Sequence, residues 1–96
     1  FRHKVGAGVV AVRRGGEIAA WDQLNKYFTI SEMFVPSSVY WNMAFGMTPG
    51  EAARDVEGMY TMRALGENMA WLVRSVAEGT IALPPAVEKA RRNFIR

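Results

Sequence analysis

Residues 4–16, KVGAGVVAVRRGG, decide the fold. From Lys4 to Val12 the apolar residues run on without polar alternation, and Val is the commonest of them. A short Val-rich run of this kind is the pattern of a strand covered on both faces, as in a parallel sheet. Gly6, Ala7 and Gly8 leave room for helices to pack close against it. They lie inside the strand and not behind it, so they are no dinucleotide fingerprint, which follows a strand. Arg13-Arg14-Gly15-Gly16 then ends the run in a tight turn.

Working outward, Ile18, Trp21, Leu24 and Phe28 recur at three to four residues and predict an amphipathic helix behind the turn. Strand, glycine turn and helix make half of a βαβ unit. Met33 to Pro36 is a second apolar run, predicted as a strand with Pro36 at its end. Ser37 to Asn42 follows as extended chain or loop, and Phe45 to Gly50 as loop. Thr48-Pro49-Gly50-Glu51 has the form of a capping box with Pro at the first helical position. It predicts a short helical turn over Pro49–Arg54 and a main helix from Asp55. Val56, Met59, Met62, Leu65, Met69, Leu72 and Val76 hold one stripe of that helix. Its methionines are those of a packed face, where a flexible thioether fills gaps. Gly79 stops the helix, while Gly58 and Gly66 weaken it and mark close packing. Beyond Pro84-Pro85, Val87 to Arg92 has the length of one or two helical turns.

The chain has 96 residues, half of them apolar, and a formal charge of +3. That is one domain at most, with enough apolar residues for a core. No cysteine is present, which excludes a disulfide framework and a thiolate metal site within the segment and fits a reducing cytoplasm. No stretch approaches the ~20 apolar residues that span a bilayer. Lys89, Arg91, Arg92 and Arg96 form a small basic cluster that reads as solvated surface, since a nucleic-acid footprint needs a longer stripe. His3 has no partner in view, and Glu17 and Asp22 fall on different sides of their helix. No catalytic pair emerges from the spacing.

Strand, helix, strand and long helix is an α/β order. Two parallel strands leave most of a sheet missing, because a buried strand needs neighbours on both edges. Phe1-Arg2-His3-Lys4 has no initiator Met and leads at once into the apolar run. The expectation is a chain opened in mid-fold, completed by an N-terminal half or by association with another copy.

The stretches VGAGVVAVRRGGEIAAWDQLNKYF (5–28), VPSSVYWNMAFG (35–46), DVEGMYTMRALGENMAWLV (55–73) and NFIR (93–96) together resemble the NADPH-dependent FMN reductases of flavodoxin-like fold. The branch that includes iron–sulfur flavoproteins is the nearest likeness. The resemblance implies that residues 1–96 are the C-terminal portion of one flavodoxin-like domain, a three-layer sandwich around a parallel sheet. It places Lys4–Val12 as the fourth strand, Met33–Pro36 as the fifth and the long helix as the last. The family's phosphate loop and third-strand loop fall outside this segment, as does the cysteine cluster of its iron–sulfur members.

The resemblance further implies FMN as cofactor and NADPH or NADH as electron donor, with flavin contact by the loop Val12, Arg13, Arg14, Gly15 and Gly16. In open α/β sheets ligands sit outside the carboxyl ends of the strands, where this loop lies. Glycines let backbone amides approach a planar ring, and a cation near the ring is one lever on its potential. The alternative is that the glycines only turn the chain and the arginines are solvated. Trp41 is a further candidate for flavin contact, set against packing in a core or interface. Asn42 either bonds a ring edge or ties local backbone. The expected function is an FMN-dependent oxidoreductase, cytoplasmic and oligomeric, with no metal ligand in this segment and no nucleic-acid or membrane partner. The alternative is a flavin-binding electron carrier or interaction module without catalysis.

Overall fold

The computed structural model describes residues 1–88 and 90. Strand β1 (Val10–Val12) leads into helix α1 (Glu17–Ile30), strand β2 (Met43–Phe45), a 3-10 turn (Ala52–Arg54) and helix α2 (Val56–Glu78). The two strands pair in parallel, Val10 with Met43 and Val12 with Phe45. The architecture is α/β, with a small parallel sheet and two helices, consistent with part of a flavodoxin-like fold.

The long strand expected over Lys4–Val12 is divided. Only its last three residues pair as β1, and Val5 forms an isolated parallel bridge with Phe34. Met33–Pro36 is likewise reduced to that bridge, and the paired strand is Met43–Phe45, within residues expected to flank or form loops. Val5 faces Phe34 and Val10 faces Met43, so residues 35–42 outnumber those opposite and bulge outward. A bulge breaks a strand wherever one side carries extra residues. Buried Asn42 pins this one: its Nδ2 donates to the Gly8 carbonyl at 3.0 Å, and the Ser38 hydroxyl lies 2.6 Å from its Oδ1. Asn42 therefore ties the distant backbone of Gly8, and not the local backbone expected of it.

Gly6 and Gly8 are buried under α1 as their size requires. A Cβ on Gly8 would stand 3.1 Å from Leu24 Cβ, and one on Gly6 would stand 2.7 Å from the Met33 methyl. α1 ends in the hydrogen-bond pattern that closes many helices on a left-handed residue. Met33 N–H donates to the Phe28 carbonyl and Glu32 N–H to that of Thr29. The left-handed position is held by Glu32, at φ 56, where glycine would sit without strain.

Thr48–Glu51 is a tight turn in which Glu51 Oε2 accepts from Thr48 N–H at 3.2 Å, as in a capping box, and the short helical turn expected over Pro49–Arg54 is the 3-10 turn Ala52–Arg54, which starts after this turn and not at Pro49. Glu51 N–H donates to the Thr48 carbonyl, and Gly50 takes φ 86. Pro followed by a residue of positive φ is a type II signature. α2 is capped instead by Asp55, whose Oδ1 accepts from Gly58 N–H at 3.0 Å. Its buried face is Gly58, Thr61 and Leu65. The expected stripe is therefore turned partly away from the sheet: Val56 is 81% exposed, and Met59, Met62, Met69, Leu72 and Val76 are half-buried. Gly58 marks the closest packing, since a Cβ there would stand 2.9 Å from Ala44 Cβ, whereas one on Gly66 meets nothing within 4 Å. α2 stops before Gly79, which is extended and not left-handed. The segment after it, through Glu88, forms neither helix nor strand, and the rest of the expected Val87–Arg92 turn lies outside the described residues apart from Ala90, which is not helical.

Among the described residues the buried apolar side chains are Pro36, Met43, Ala44 and Leu65, and no residue of α1 is buried. The expected burial of the Val-rich segment is not reached: Val9 is 52% exposed. Val10 N–H donates to Asn42 and Gly46 N–H to Val12, so the main-chain groups of Val9 and Ala11 point to the opposite edge. That edge of β1 carries no strand among the described residues. The radius of gyration is 17.0 Å, against ~13 Å for a compact domain of this length.

Glu32→Gly is expected to raise stability by about 0.5–1 kcal/mol, the relief of a left-handed non-glycine outweighing an exposed ion pair to Arg2. A higher urea midpoint at unchanged slope is the supporting result. In α2, Gly66→Ala is expected to stabilise by roughly 0.5–1 kcal/mol. Gly58→Ala is expected to destabilise by about 1–3 kcal/mol through overpacking. Equal effects of the two substitutions in thermal melts would contradict the packing described for Gly58.

Candidate functional site

The loop Arg13–Gly16 leaves the carboxyl end of β1, and all four residues are exposed. Gly16 takes φ 90 and opens α1 without any side-chain cap. A Cβ there would meet nothing within 4 Å, so the space before the loop is open. The first amides of α1 have no intrahelical acceptor by geometry. Neither Arg13 nor Arg14 forms an ion pair among the described residues. The loop thus offers unspent backbone donors and two cations at one end of the sheet. Val12, just inside it, is half-buried and paired with Phe45.

Beside this loop, at the outer edge of β2, lies a cleft of about 260 Å³. Glu17 and Ile18 of α1 form one side, Tyr40, Trp41, Met43 and Phe45 the strand side, and Asp55, Glu57, Gly58 and Thr61 of α2 the other. The bulge turns Tyr40 and Trp41 outward as a tilted aromatic pair with centroids 4.9 Å apart. Of the residues expected at a site, Trp41 lines the cleft, while Val12 and Arg13–Gly16 lie next to it and do not line it. Glu17, Asp55 and Glu57 join the cleft without any signal in the sequence that groups them. Their nearness depends on β2, whose three residues carry no periodicity.

Asp55 holds the cleft together. Its Oδ2 accepts from Phe45 N–H at 2.9 Å while Oδ1 caps α2, so one carboxylate bonds the edge of β2 and the start of the helix. These backbone bonds, that from Gly58 first, lower its pKa below the ordinary carboxylate value. Glu51 is lowered in the same way, first by Met47 N–H at 2.7 Å. Glu17 Oε2 and the Trp21 indole N–H are buried without hydrogen-bond partners. His3 lies at the amino end of the sheet, stacked on Phe34 with ring centroids 5.2 Å apart, away from this site. No group of three His, Cys, Asp or Glu residues among those described is arranged to hold a metal ion, and no helix of the structure is long and apolar enough to cross a membrane. The basic cluster from Lys89 to Arg96 lies outside the described residues.

With this geometry in view, the chain is similar to an iron–sulfur flavoprotein of Methanocaldococcus jannaschii, at 33% identity over 83 residues. The match covers 79% of this chain and 43% of that protein. The chain therefore spans less than half the length of the curated relative it matches. No family model matches the chain, and no solved structure does. The likeness is to a flavoprotein, which makes a flavin the cofactor class that the relative's name suggests.

Because the folded-state pKa of Asp55 is lowered, its contribution to stability is complete above the ordinary Asp value of ~3.9. It is lost as pH falls through the lowered value. Asp55→Ala is expected to destabilise the fold at neutral pH and to reduce the acid-induced loss of stability below pH ~4. An unchanged pH profile in denaturant melts would contradict that role.

Proposed function

We propose that this chain forms the C-terminal half of a flavodoxin-like domain in an FMN-dependent oxidoreductase of the NADPH-dependent FMN reductase type. Electrons would come from NADPH or NADH and pass to a flavin- or quinone-type acceptor. The observation that carries the reading is the position of Arg13–Gly16. An open glycine turn, with two arginines that form no ion pair among the described residues, stands at the carboxyl end of a parallel strand, in a chain similar to a flavoprotein. The free edge of β1 and the shortfall in length against that relative support a sheet completed by further strands. Those strands come from an N-terminal half of the same protein, and the finished domains pair as homo-oligomers.

The loop fits a flavin on its own chemistry. The donors at Arg13–Gly16 match the acceptor edge of the pyrimidine ring, and the turn has no side chain at Gly15 or Gly16 to block a flat ring. Arg13 and Arg14 supply positive charge where negative charge would collect on reduction. The bound flavin supplies the hydride and electron chemistry, while these residues bind, orient and tune. That division of labour explains why the chain needs no nucleophile–base pair. Trp41, on the neighbouring cleft, is placed to pack against the ring's surroundings or a second subunit.

The complete protein is expected to purify yellow or to bind added FMN, and to oxidise NADPH or NADH in the steady state. Replacing Arg13 and Arg14 by Gln is expected to weaken FMN binding roughly tenfold for each charge-assisted hydrogen bond lost, and to lower the flavin potential. A colourless protein that takes up no FMN would end this reading. Bound flavin without turnover would leave the electron-carrier function.

A further inference from the structure

We propose that Glu51 and Asp55 guard the outer edge of β2, an autoinhibitory device that bars a second copy of this chain from adding its own edge strand there and leaves the edge of β1 as the side on which the sheet grows. The inference rests on where the outward amides of β2 go, and it does not depend on flavin binding.

In a strand, alternate residues turn their main-chain groups to opposite edges. The Asn42 carbonyl and Gly46 N–H bond β1, so Met43 and Phe45 turn theirs outward. An open edge of this kind is a template for another strand. Here each outward donor is taken. Met43 N–H folds back to the Trp41 carbonyl at 2.8 Å. Phe45 N–H donates to Asp55 Oδ2 at 2.9 Å. Met47 N–H, just past the end of the strand, donates to Glu51 Oε2 at 2.7 Å. A strand added along this edge would find no donor for its carbonyls, and each carbonyl buried without a partner carries the full desolvation penalty of that group.

Both carboxylates come from one short connection. Glu51 and Asp55 flank the 3-10 turn Ala52–Arg54, which crosses the end of β2 so closely that a Cβ on Gly46 would stand 2.5 Å from Ala52 N. The guarding bonds also hold both pKa values below the ordinary carboxylate range, Met47 N–H first for Glu51 and Gly58 N–H first for Asp55. Both guards are therefore ionised at neutral pH. Charge on an edge is itself a way in which native sheets avoid edge-to-edge pairing. An isologous contact between two β2 edges would bring these like charges together. Along β1, by contrast, no side chain bonds the outward groups of Val9 or Ala11 among the described residues.

The test follows amide hydrogen exchange and sedimentation of the complete protein. In the wild type the Phe45 and Met47 amides are expected to be protected. Asp55→Ser keeps an oxygen that caps α2 but gives up the second acceptor, and Glu51→Ala removes the other guard. The double variant is expected to exchange both amides about tenfold faster, the scale of a hydrogen bond to a charged group, and to associate as its concentration rises. Adding Phe45→Pro, which removes the outward donor, is expected to restore the wild-type size, whereas adding Phe45→Ala is not. Unprotected Phe45 and Met47 amides in the wild type would overturn the proposal without any variant. So would a double variant that exposes both amides at unchanged size, association that Phe45→Pro fails to reverse, or equal rescue by both Phe45 substitutions.

Discussion

The structure depends on one carboxylate placed between a strand and a helix. Asp55 accepts from Phe45 N–H with one oxygen and from Gly58 N–H with the other. The first bond closes the outer edge of β2 to further pairing at Phe45, and the second fixes where α2 begins. Together they set Gly58 against Ala44 at a distance only glycine permits. Buried Met43, Ala44, Thr61 and Leu65 lie on the two elements that this carboxylate joins. Away from it, α1 lies on the backbone of Gly6 and Gly8 with none of its own residues buried.

The two edges of the sheet are consequently unlike. The β2 edge is closed by Asp55 and overhung by the bulge that presents Tyr40 and Trp41. The β1 edge keeps its main-chain groups free beside exposed Val9. Native sheets manage such edges by covering, charging or pairing them, and β1 carries neither cover nor charge before Arg13. A Val-rich strand flanked by buried glycines, yet half open to solvent, has the composition of an interior strand. The chemistry divides along the same line: an arginine loop faces the end of β1, and an acidic aromatic cleft faces the side of β2. The two lie close together because α1 begins where the loop ends.

Much of this was legible from residue order. The turn at Gly15-Gly16, the helix that follows it, the stop before Gly79 and the close packing at Gly6, Gly8 and Gly58 all follow from local rules: glycine where backbone comes near, apolar residues at helical spacing. The second strand was not legible. Met43-Ala44-Phe45 is too short to show a period, and the more apolar run Met33–Pro36 drew the assignment to itself. At Thr48–Glu51 the sequence leaves the start of the helical turn open, because Pro followed by Gly suits both a helix start and a type II turn, and only the φ of Gly50 separates them.

By itself, then, the sequence determined the α/β order, the site of the glycine loop and the surfaces where backbones approach, since each depends on neighbours a few residues apart. The tertiary structure alone decided which short segment pairs with β1, which face of α2 turns inward, and that Glu17, Trp41 and Glu57 share a cleft. Those outcomes depend on a register between residues more than thirty positions apart in the chain. Asn42 bonding Gly8 holds that register and Asp55 bonding Phe45 seats α2 on β2, two polar contacts that no hydrophobic period announces.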